Sequence, residues 1–147
     1  MLKMLKLNNI SAIGIDTKTE KFNTCNENGA EFSVSPMEND LKNKISDFSK
    51  SNDLDVVIDF VSSKSSLELG CSILGKGGRL VTLGGSGEQF LANSADMLVK
   101  ELELIGSRYC TKQELKESLD LYARGLIEPL VSVKTDFDGA EGLHDKI

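Results

Sequence analysis

The chain reads as an α/β protein built on a buried parallel sheet, and the reading rests on the stretch between Asp53 and Gly87. Two features carry it. The strand candidates there are continuous apolar runs rather than alternations, as expected when helices cover both faces of a parallel strand. The segment between them has helical periodicity. Val56-Val57-Ile58 is the first run, ended by Asp59-Phe60-Val61, and Ser62 or Ser63 can cap the helix that follows. Leu67, Cys71 and Leu74 recur at i, i+4 and i+7, one apolar stripe to lie against a sheet. Gly75, Gly77 and Gly78 supply a C-cap and turn, and Leu80, Val81 and Leu83 make the next buried strand, which runs out at Gly84-Gly85. Ligands of open α/β sheets bind beyond the carboxyl ends of the strands. Val61 and Gly84-Gly85 are therefore the first candidate site positions.

The flanking sequence repeats this alternation. Residues 1–7 pair Met1 with Leu5 and Leu2 with Leu5, the end of a helix too short to persist alone. Ala12–Ile15 is an apolar strand stopping at Asp16. Thr17 with Glu20 is spaced as a capping box for a helix through Phe22 and Cys25 to Gly29. Phe32 and Val34 suggest a short strand. Ser35-Pro36 with Glu38 is a second box with proline at N1, and Met37, Leu41, Ile45 and Phe48 form that helix's buried stripe. Residues 86–100 read as a connecting loop ending in Met97-Leu98-Val99. Leu102, Leu104 and Ile105 form a strand ending at Gly106-Ser107. Thr111 with Glu114 is a third box, opening a helix whose stripe is Leu115, Leu119 and Tyr122 up to Gly125. LIEPLVSV is expected as an edge strand, since Pro129 interrupts it. Asp136 or Asp138 can cap a last helix holding Ala140 and Leu143.

Length and composition narrow the function. With 147 residues, 39% apolar and 27% charged, the chain is large enough for one domain with a real core. A net charge of −6 lacks the basic footprint of a nucleic-acid binder. No apolar run approaches the ~20 residues of a membrane helix, and Asn8-Asn9 ends the apolar opening before a signal-peptide core can form. The cytoplasm is the expected compartment. Cys25, Cys71 and Cys110 are widely spaced and His144 is the single histidine, so spacing gives no zinc site. Cys25 and Cys71 fall on apolar helix faces as reduced structural thiols.

Asp16 is the residue most suggestive of chemistry. An acid at the end of a parallel strand can accept hydrogen bonds from the ribose hydroxyls of an adenosine, and its charge repels a 2′-phosphate. The bland alternative is a turn acid beside a solvated Lys21. Asp59, just inside its strand end, is a candidate general base or equally a carboxylate held by backbone amides, and it is assigned no catalytic role. Glycine at 84 or 85 suits a backbone approached by a ligand, which a side chain would block.

Taken in order, Asp16 with Lys21, VVIDFVSS (56–63), GGRLVTLGG (77–85), ELIGS (103–107) and LDLYARGLIEPLVS (119–132) resemble the nucleotide-binding domain of the zinc-type, medium-chain alcohol dehydrogenases. The resemblance implies a partial Rossmann fold, a doubly wound parallel sheet holding strands two to six and lacking its first, central strand. Residues 1–147 would then form a single partial dinucleotide-binding domain. It implies NAD as cofactor, with Asp16 and Lys21 on the adenosine ribose and backbone groups of Phe60, Val61, Leu83, Gly84 and Gly85 near the nicotinamide. Family members often carry glycine where this chain has Ser62. By the same resemblance, zinc, the proton relay and most of the alcohol or aldehyde pocket belong to a catalytic domain not represented here, and no catalytic or metal-binding residue is assigned. The chain alone is expected to be inactive, with a homo-oligomer or a completing partner chain as possible assemblies. In the strand order 3-2-1-4-5-6, strands two and four would face each other across a gap one strand wide. Two other readings compete: an S-adenosylmethionine-dependent methyltransferase, which would carry a reversed last strand in a hairpin, and a non-enzymatic subunit.

Overall fold

The structure, a computed structural model, describes residues 1–49, 54–131 and 133–144, His144 by its backbone alone. Its strands are β1 (Gly14–Ile15), β2 (Ser33–Val34), β3 (Leu54–Asp59), β4 (Leu74–Thr82) and β5 (Glu103–Gly106). Its helices are α1 (Leu2–Leu7), α2 (Phe22–Glu27), α3 (Leu41–Ser49), α4 (Lys64–Ile73), α5 (Ser94–Lys100), α6 (Lys112–Ala123) and α7 (Ala140–His144). All described strand pairs are parallel, but they form two sheets, β1-β2 and β3-β4-β5. No ladder joins β1 to β3 among the described residues. The expected break in the sheet falls where the sequence places it.

One core nevertheless runs beneath both sheets. Val34 of β2, Leu41 and Ile45 of α3 and Ile73 of α4 bury together, with Ile13, Phe32, Leu54 and Val57 packed around them. Phe32 meets Phe48 edge to face at 5.8 Å, a favoured aromatic geometry. A second cluster, Leu67, Leu74 and Leu80, seats α4 on β3 and β4. Leu80 is 2% exposed, so Leu80→Ala is expected to cost ~2–5 kcal/mol in a denaturant titration, through lost burial and the cavity left behind. Arg79 faces Glu103 across the β4–β5 ladder, with Nε 2.5 Å from the carboxylate, an exposed pair in keeping with that register.

Several local expectations are corrected. Val56 is 47% exposed, so β3 is not covered on both faces as its apolar run suggested; α4 packs on it from one side. Leu74 opens β4 rather than ending α4, and the glycines after it form an irregularity in the ladder between the Leu54–Leu74 and Val56–Arg79 pairs. Leu83 lies beyond β4 and is 43% exposed. The Thr17–Glu20 box does not form. Asp16 instead accepts the Lys18 N–H at 2.8 Å, and a 3-10 turn at Thr19–Lys21 leads into α2. Glu38 does accept the Ser35 N–H at 3.4 Å, but the Ser35 hydroxyl accepts the Met37 N–H rather than that of Glu38, so the box is only half made and closes a turn. The helix begins only at Leu41, which leaves Met37 solvent-exposed. The 86–100 connection contains α5, capped by Asn93 and tied to β4 by the Lys100 ammonium on the Leu74 carbonyl at 2.8 Å. The described residues of LIEPLVSV form no strand, and Ser132 lies outside them.

Other signals correspond to structure. Ser63 is the α4 N-cap, the Thr111–Glu114 box forms in full, and Asp136 accepts the Gly139 N–H before α7. Cys25, Cys71 and Cys110 are free thiols; burial pushes the Cys71 thiol up in pKa, partly opposed by the Lys100 charge. Among the described residues no helix is long and apolar enough to cross a membrane.

Candidate functional site

Asp16 follows β1 directly, with its amide on the Val34 carbonyl of β2 at 3.3 Å. Its side chain is 39% exposed, one oxygen taking the Lys18 N–H and the other 3.5 Å from the Lys21 ammonium. The turn thus holds the carboxylate at the strand end while leaving it open to solvent. Sequence reasoning paired these two residues, and the structure brings them together.

The second group lies at the carboxyl ends of β3 and β4. Phe60 and Val61 are 60% and 65% exposed, a large apolar exposure for residues flanked by buried Asp59 and Ser62. Asp59 is 7% exposed. It accepts the N–H groups of Val61 at 2.8 Å and Ser62 at 3.0 Å on one oxygen, and the Ser66 hydroxyl at 2.7 Å on the other. Both oxygens are engaged in shaping the loop, so the reading of a carboxylate held by backbone amides is the correct one and the general-base reading falls away.

The two glycines after β4 differ in kind. A Cβ on Gly84 would stand 2.5 Å from the Val61 carbonyl oxygen, 2.6 Å from its carbon and 2.8 Å from the Phe60 oxygen. Glycine at 84 therefore lets the β3 loop pack against the end of β4, a reason for glycine there beside the approach of a ligand. A Cβ on Gly85 would meet nothing within 4 Å; that is the position with room for a ligand. Ser62 takes a left-handed backbone at φ 56°, which explains why glycine also suits that position. Its hydroxyl meets that of Thr82, and Ser86 donates its hydroxyl to the Ser62 carbonyl. Sequence inspection missed Thr82 and Ser86, because contacts across 20 residues or more leave no local pattern.

The residues present fit a dinucleotide: an open carboxylate at one strand end, and exposed backbone around Val61 and Gly85 at the others. They do not fit zinc, since no three His, Cys, Asp or Glu side chains come together among the described residues. A surface depression of ~470 Å³ lies along α6 between Gln113 and Arg124 and contains none of these groups.

The comparisons bear on this arrangement. An NAD-dependent alcohol dehydrogenase of Sulfurisphaera tokodaii is 22% identical over 135 residues, covering 92% of this chain and 39% of that protein. The alcohol dehydrogenase of Aeropyrum pernix superposes with a TM-score of 0.84 at 24% identity, covering 99% of this chain and 42% of that one. An E. coli protein described as a short-chain alcohol dehydrogenase, solved with NADH, gives 0.85 at 22% identity, over 98% and 43%. The two sheets are thus placed as parts of one Rossmann-type fold, and the chain spans about two fifths of the length of these relatives. The zinc-binding dehydrogenase model matches residues 1–124, and with that match over most of its length the chain belongs to the zinc-binding dehydrogenase family.

Proposed function

We propose that the chain is the dinucleotide-binding part of an oxidoreductase that passes hydride between an alcohol or aldehyde and NAD, working in the cytoplasm with its catalytic zinc supplied by a domain outside these residues. The observation that carries the proposal is Asp16. Its carboxylate is held at the carboxyl end of a parallel strand, half-open, beside Lys21. That placement suits bidentate acceptance from an adenosine ribose and rejection of a 2′-phosphate. Backbone groups of Phe60, Val61, Leu83, Gly84 and Gly85 would then face the nicotinamide end. Lys21 would be the second ribose contact. The methyltransferase reading gains nothing here, since β5 joins β4 in parallel rather than reversing.

The same proposal gives β1 and β3 a neighbour. Each is without a strand on one side among the described residues, in the place a central parallel strand would occupy. We propose that such a strand, with the phosphate loop that follows it, comes from this polypeptide or a partner chain. The exposed Leu104 and Ile105 of β5, at the far edge of that sheet, and the uncovered Leu115–Leu119–Tyr122 stripe of α6 support a further subunit contact. Calorimetric titration tests the nucleotide assignment. NAD is expected to bind and NADP to bind more weakly. Asp16→Ala is expected to weaken NAD by roughly tenfold to a hundredfold, the loss of hydrogen bonds to a charged acceptor. NADP binding as tightly as NAD would refute the assignment.

A further inference from the structure

The loops after β3 and β4 are joined more tightly than a parallel ladder requires. The ladder itself ends with the Leu83 N–H on the Asp59 carbonyl at 2.8 Å. Beyond it, Ser62 Oγ meets Thr82 Oγ1, Ser86 Oγ bonds the Ser62 carbonyl, and Gly84 leaves no room for a Cβ beside the Val61 carbonyl and the Phe60 oxygen. Ser62 is 6% exposed, so its hydroxyl is committed to the protein and not to solvent or ligand. Thr82 is also anchored on its other side, its carbonyl accepting the Ser107 N–H from the end of β5 at 2.9 Å. The hydroxyl pair therefore links the exposed Val61 peptide to the middle strand of the three-stranded sheet, and glycine at position 62 could not make that link.

We infer that Ser62 and Thr82 are positioning residues for the nicotinamide end of the dinucleotide: their hydroxyl clasp, with Ser86, sets the spacing between the Val61 and Gly85 backbones that receive it. This rests on the dinucleotide reading given above. The clasp touches only the β3 and β4 loops, while the Asp16 turn is held by its own bonds to Lys18 and the β2 carbonyl. Its removal should accordingly change one half of the ligand's site and not the other.

Titration of the full chain and its variants with NAD and with ADP-ribose tests this. ADP-ribose keeps the adenosine and both phosphates but lacks nicotinamide. Thr82→Val, which removes the hydroxyl at nearly constant shape, is expected to weaken NAD by roughly threefold to tenfold, the worth of one neutral hydrogen bond, and to leave ADP-ribose unchanged. Thr82→Ser should restore NAD affinity. Ser62→Gly suits the left-handed backbone and so keeps the fold, and it should reproduce the selective loss. Equal weakening of both ligands, or an unchanged NAD affinity in Thr82→Val and Ser62→Gly, would overturn the clasp while leaving the dinucleotide reading standing. Failure of the unaltered chain to bind either ligand would remove the dinucleotide reading and the clasp's proposed role together.

Discussion

Asp59→Ala is expected to lower stability by ~3 kcal/mol, read as a shift in urea midpoint at unchanged slope. The carboxylate accepts two backbone N–H groups and one hydroxyl in a site where it is 7% exposed. Alanine leaves the Val61 and Ser62 N–H groups without that acceptor, while the Ser66 hydroxyl keeps the Ser63 carbonyl at 3.1 Å; each buried unsatisfied group costs ~1–3 kcal/mol. Against a typical domain stability of ~5–15 kcal/mol, that is a large fraction. Asp59→Asn keeps one acceptor oxygen and should recover about half of the loss. Amide exchange should report where the damage falls: Val61 and Ser62 should lose protection first, because their N–H groups bond Asp59 and not the ladder. A shift below ~0.5 kcal/mol, the size usual for a surface substitution, would mean that the carboxylate is not what shapes this loop.

Neighbouring glycines should separate two effects that are often confounded. Gly84→Ala places a methyl 2.5 Å from a carbonyl oxygen and 2.6 Å from its carbon, both backbone atoms without side-chain freedom. The β3 and β4 loops must part to admit it, at an expected ~1–3 kcal/mol of overpacking strain. Gly85→Ala meets nothing within 4 Å and should change stability by less than ~0.5 kcal/mol, while reducing NAD affinity because it fills the open side of the strand end. Thermal unfolding and NAD titration of the two variants check the pair. A stable Gly84→Ala would show that the loops are not packed as described, and undiminished NAD binding in Gly85→Ala would move the ligand elsewhere.

What could be read from the sequence follows the range of the interactions involved. The Thr111–Glu114 box was legible because its two hydrogen bonds are local and nothing nearby competes for them. The Thr17–Glu20 box has the same spacing, but Asp16 captures the Lys18 amide first and turns the chain into a 3-10 geometry. Ser35 and Glu38 make bonds common to a turn and to a first helical turn, so their pattern alone could not fix where α3 begins. Helix α5 escaped notice because Leu98 and Val99 point outward, 79% and 72% exposed, and leave no apolar stripe to read. LIEPLVSV shows the converse limit. Its composition favours a strand, but a strand needs a partner edge, and composition does not supply one.

The site divides along the same line. Asp16 and Lys21 were legible because five residues of turn bring them together. The break between β1 and β3 was legible because it follows from the order in which parallel strands are laid down. Ser62 against Thr82, Ser86 on Ser62 and Gly84 on Val61 join residues some 20 apart or more, and no local spacing announces them. Glycine at 84 was noticed, but its contact with the Val61 backbone was not, for that reason.

The most direct test of the central claim is the map of amide NMR shifts of the chain on titration with NAD. The predicted result is two clusters, one from Asp16 through Lys21 at the end of β1 and one at Val61, Ser62 and Gly85 beyond β3 and β4. Shifts confined to the depression along α6, or none at millimolar NAD, would contradict the assignment of the strand ends as the nucleotide site.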